Sequence, residues 1–81
     1  MNIYRCQFVV NCPSNGKAIP HSLEIRHFAT LPVESLLDVV SELPSMFQEG
    51  IADLLYAKFG GEQVIKANHH GVEIETVRGS L

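Results

Sequence analysis

The strongest constraint on the fold lies in the middle of the chain. Between Pro32 and Gly61 two apolar stripes stand end to end at helical spacing, divided by Pro44. Pro32 suits the start of a helix, where its missing N–H is not needed. Glu34 in that first turn complements the helix dipole. Val33, Leu36, Leu37, Val40 and Leu43 recur on one helical face. Pro44 ends this helix. Ser45 then offers an N-cap for the second, with Gln48 three residues on as its capping-box partner. Phe47, Ile51, Leu54, Leu55 and Phe59 form the second stripe. Gly60-Gly61 stop it, because glycine tolerates a left-handed backbone.

The flanks read as strands. Ile3 to Val10 is rich in β-branched and aromatic residues. Residues 11–20 carry two prolines, a glycine and two asparagines, the chemistry of a long hairpin loop. Ser22 to Phe28 alternates Leu23, Ile25 and His27 against Glu24, Arg26 and Phe28. Glu62 to His69 and Val72 to Arg78 form a second hairpin around Asn68-His69-His70-Gly71. In its last strand Val72, Ile74 and Thr76 share one face, and Glu73, Glu75 and Val77 the other. The fold class is therefore α+β. Residues 1–81 form a single ββααββ domain: an antiparallel four-stranded sheet with two helices on one face. A ferredoxin-like domain with another strand order fits the same pattern.

A chain of 81 residues buries a small core and leaves one sheet face and both sheet edges uncovered. Oligomerisation is the usual remedy, and closing several sheets into a barrel removes the edges. The expected partner is a second copy of the chain. The six Lys and Arg are scattered singly, in a chain of net charge −3. They do not form the basic cluster that nucleic-acid binding needs. No run of about 18 apolar residues predicts a membrane span, and no signal peptide is visible. Cys6 and Cys12 are too few for a secreted disulfide framework, so reduced thiols and a cytoplasmic location are expected.

Three short stretches resemble the tunnelling-fold (T-fold) superfamily. That group includes the nitrile reductase of 7-cyano-7-deazaguanine in queuosine biosynthesis, 6-pyruvoyl-tetrahydropterin synthase and dihydroneopterin aldolase. Cys12-Pro13 with Gly16 resembles the CP-x-x-G segment of the nitrile reductases, whose cysteine is the nucleophile. Val33-Glu34-Ser35-Leu36, followed by Phe47-Gln48-Glu49, resembles their V-E-S-x-x-L and F-H-E segments. Val72 to Thr76 resembles the V-x-x-E-T strand of the pterin synthases, whose glutamate anchors the pterin. The departures are equally specific. Ile19 stands where the nitrile reductases carry an acid seven residues after the cysteine, and Gln48 stands where they carry histidine. Only His21 is present where the synthases have a zinc-binding H-x-H pair.

The resemblance implies a small T-fold protein binding a purine, pterin or deazapurine at a subunit interface, as an enzyme or a reduced relative of one. It makes Glu49 and Glu75 the candidate substrate-binding residues. A carboxylate accepts two adjacent ring N–H groups at once. It makes Cys12 the candidate nucleophile. His70, or its neighbour His69, is a candidate acid or base, because imidazole titrates near neutrality. NADPH enters as a cofactor by resemblance alone. No zinc or other metal site is expected, since adjacent strand histidines point to opposite faces. The histidines otherwise read as turn and surface residues. The alternative function is a small non-enzymatic interaction protein, docking a partner on its sheet edge or helix face.

Overall fold

The computed structural model describes residues 1–79. Strands β1 (Asn2–Asn11), β2 (Ala18–His27), β3 (Glu62–His69) and β4 (Val72–Arg78) form one sheet in the order β1-β2-β3-β4. Every neighbouring pair is antiparallel. Helices α1 (Val33–Ser41) and α2 (Gln48–Phe59) are inserted between β2 and β3. This sequential order sets aside the ferredoxin-like alternative.

Alternation along the strands builds one dry face. Phe8 and Val10 of β1, Leu23 and Ile25 of β2 and Ile65 of β3 join Leu36, Val40, Ile51, Ala52 and Leu55 of the helices in a single core. The opposite face carries no helix. There Gln7, Ser22, Lys66 and Glu75 stand in register as one polar row across all four strands.

Four sequence expectations are corrected. Both ends of the 11–20 loop are strand, so the turn shrinks to residues 12–17. Val33 and Leu37 are half exposed. The buried arc of α1 centres on Leu36 and Val40, with Val39 on its shoulder, and Leu37 lies about 100° around the helix from Leu36. Phe47 is the extended N-cap residue of α2 and is exposed, so it lies outside the stripe. Ser45 does not cap α2; its hydroxyl donates to the Asn11 carbonyl. Gln48 takes the first position of the buried stripe, ahead of Ile51, Ala52 and Leu55.

The joints are set by polar contacts. Gln63 Nε2 donates to the carbonyl of Leu55 within α2 and to that of Gly60, its C-cap, where the helix leaves an acceptor free. The β3–β4 turn places His70 and Gly71 at φ 56° and 94°, as a tight primed hairpin turn requires. Asn68 Oδ1 accepts from the Gly71 N–H and closes it.

Candidate functional site

The fold gathers two of the four candidate residues at one end of the sheet. Cys12 opens the β1–β2 turn, which is closed by Cys12 N–H to Lys17 O and Gly16 N–H to Cys12 O, both 2.8 Å. His70 tips the β3–β4 turn, and its Nε2 lies 2.9 Å from Asn15 Nδ2. The Ser14 N–H, aided by the Asn15 N–H and the Ser14 hydroxyl, draws the Cys12 thiol below its ordinary pKa. A thiol so placed ionises more readily and is the better nucleophile at neutral pH. Cys6, half-buried on the helix side of β1, is pushed up by burial.

The two candidate carboxylates lie on opposite sides of the sheet. Glu75 neighbours Thr76, which faces α2, so Glu75 projects from the helix-free face. It borders a concavity of about 650 Å³ with Arg5, Arg26 and Lys66. Glu24 in that trough bonds Arg5 at 2.9 Å and Arg26 at 3.0 Å. The Arg5 hydrogen bond, followed by that of Arg26, holds its carboxyl below the usual range. Glu49 is exposed in the first turn of α2, beyond the opposite face. Within one chain Glu75 thus points away from the helix that carries Glu49. Ile19, at the position where the nitrile reductases carry an acid, is buried in the sheet.

A buried polar cluster underlies Glu49. Gln48 is 5% exposed. Its Nε2 donates to Ile65 O, Ile74 O and Thr76 Oγ1, at 3.1, 2.9 and 3.1 Å. These three acceptors fix the amide, so Gln48 Oε1 accepts from His69 Nε2 at 2.8 Å. His21 stands edge-on to His69, with ring centroids 6.0 Å apart, and stacks on Phe8. The expectation of surface histidines fails here, because His21 is 3% exposed. Its place was visible in Ile19-His21-Leu23-Ile25, an alternation whose other members are all core. Among the described residues, no three His, Cys, Asp or Glu are grouped as a metal site would need. No helix among them is long and apolar enough to cross a membrane.

His21 predicts an acid-sensitive fold. Its Nδ1 donates to the Ile19 carbonyl at 2.8 Å, leaving a bare Nε2 with no partner. Burial lowers its pKa, and nearby His69 adds to this, against the Ile19 bond. The unfolded chain therefore takes up this proton first. Stability is complete above the unfolded value of about 6.5 and falls as the pH drops below it. Urea titrations at successive pH values should show that loss, and His21→Phe should flatten it.

Compared with protein-family models and with curated protein sequences, the chain matches none. Among solved structures it is similar to the apo form of an archaeosine synthase QueF-Like. The TM-score is 0.69 over 99% of this chain and 94% of that one, at 19% identity. The ββααββ chain thus has a QueF-like T-fold.

Proposed function

We propose that this chain binds a flat purine, pterin or deazapurine at an interface between copies of itself. The observation that carries this reading is the separation of Glu49 and Glu75 by the sheet within a fold shared, end to end, with a synthase. Two carboxylates suited to ring N–H groups become useful to one ligand when a second copy brings the missing one alongside. The polar row on the helix-free face supports it further: that face suits the hydrated lumen of a barrel more than a dry interface. Cys12 is the candidate nucleophile, with a turn of N–H donors around its sulfur. His70, which bonds Asn15 of the same turn, is the candidate acid or base.

The second reading is a T-fold interaction protein without chemistry. Ile19 favours it, since no carboxylate stands at that position to manage protons, and Phe28 is 85% exposed at the end of the first hairpin.

Thermal shift separates the two. 7-Cyano-7-deazaguanine, guanine and pterin are tested in turn. A ligand at 100 times its Kd adds about 2.7 kcal/mol. Glu75→Gln and Glu49→Gln should each reduce that shift. No shift with any of the three, together with a monomer by light scattering, would defeat the ligand reading.

A further inference from the structure

His69 and His70 are neighbours in sequence and reach opposite ways. His69 bonds Gln48, and the next residue of that helix is the candidate carboxylate Glu49. His70 bonds Asn15, in the turn that Cys12 opens. The tip of one hairpin therefore ties down both candidate segments.

The two bonds have opposite polarity. Asn15 Oδ1 accepts from the Lys17 N–H at 2.9 Å, so the amide nitrogen is the part of Asn15 turned to His70. That nitrogen donates, and His70 Nε2 must offer a lone pair. A protonated imidazole carries N–H on both nitrogens and cannot accept. His69 is the reverse: Gln48 Oε1 accepts, so His69 Nε2 already bears its hydrogen and keeps it when the ring is charged.

We propose that the His69-His70 pair is a positioning clasp, setting the Cys12 turn against the start of α2, and that its His70 half opens on protonation while its His69 half holds. The significance of the clasp rests on the proposed function, in which both segments serve one ligand. Acid would then loosen the nucleophile's turn without moving the carboxylate. The charged and titratable residues of the two turns that meet at His70 are Cys12 and Lys17 in the β1–β2 turn and His69 and Glu73 in its own hairpin. None makes an ion pair with it among the described residues.

The test is amide hydrogen exchange on the full chain, corrected for intrinsic pH dependence. It follows the Cys12 and Gly16 N–H groups that close the turn, relative to core amides at Ile25 and Ile65. That ratio removes any global acid loosening through His21. Between a pH above and a pH below the titration of the His70 ring, followed by NMR of that ring, the relative protection of the turn should fall roughly tenfold. His70→Gln retains an acceptor for Asn15 that does not titrate, and should keep the protection at both pH values. Asn15→Ala should show low protection at both. A flat wild-type profile, or the same fall in His70→Gln, would overturn the clasp. Exchange reads only the turn, so its failure is distinct from failure of the ligand reading, which thermal shift decides.

Discussion

Gln48→Met should destabilise the protein by about 2–4 kcal/mol although it keeps nearly the same shape. The side chain is buried, and its amide serves Ile65 O, Ile74 O, Thr76 and His69 together. Methionine fills the space and bonds none of them. Stranding a buried polar group costs about 1–3 kcal/mol, and here the Thr76 hydroxyl and His69 are both stranded. A domain of this size holds roughly 4–12 kcal/mol in total, so the loss takes a large share. It should lower Tm by about 10 °C or more. Urea unfolding is the measurement, with the midpoint lowered and the slope unchanged. Gln48→Ala adds a cavity and should cost more than Gln48→Met. Equal costs would show that the amide contributes by volume alone.

What the sequence made legible follows from what period and turn chemistry record. The bounds of β3 and β4 agree with the reading, because His70-Gly71 is a strong turn signal between clean alternations. The face of Glu75 followed from the same alternation. Residues 18–20 read as loop because of Pro20, yet they are strand. Pro20 pairs with Val9 on one side, while the pairing of β2 with β3 begins one residue later, at His21. At that point β2 is an edge, where proline is tolerated. Gln48 misled for a different reason. A glutamine three residues after a serine satisfies the capping pattern locally, but the helix begins one residue past Phe47, and that phase turns Gln48 inward. The histidine cluster depends on this phase and on β2–β3 pairing across the 34 residues that separate the two strands. Neither is a local property, so the site's polar interior was hidden while its fold was not.

Gly61→Ala should be strongly damaging for the addition of a single methyl group. Gly61 joins α2 to β3 at φ 73°, where an L side chain is already strained. Its new Cβ would stand 2.5 Å from the Arg26 carbonyl oxygen and 2.8 Å from His27 Cδ2. The imidazole can rotate away. The carbonyl belongs to β2 backbone paired on both sides, with Ile3 and with Glu62, and cannot yield without parting the sheet. Left-handed strain alone is worth about 1–3 kcal/mol, and the overlap adds to it, so a loss of about 3 kcal/mol or more is expected. Gly60→Ala is strained for a different reason: φ 65° and ψ −152° form a conformation nearly restricted to glycine, while the nearest atom to its Cβ would be His27 Nε2 at 3.7 Å, an ordinary contact. Urea midpoints should therefore place both variants below wild type. The gap between wild type and Gly61→Ala measures how firmly the sheet resists opening at this joint. That joint holds β3, whose far end carries His69, against α2, whose first turn carries Glu49. A large loss would mean that this backbone joint sets α2 against β3, and with it the reach of His69 to Gln48 beside Glu49.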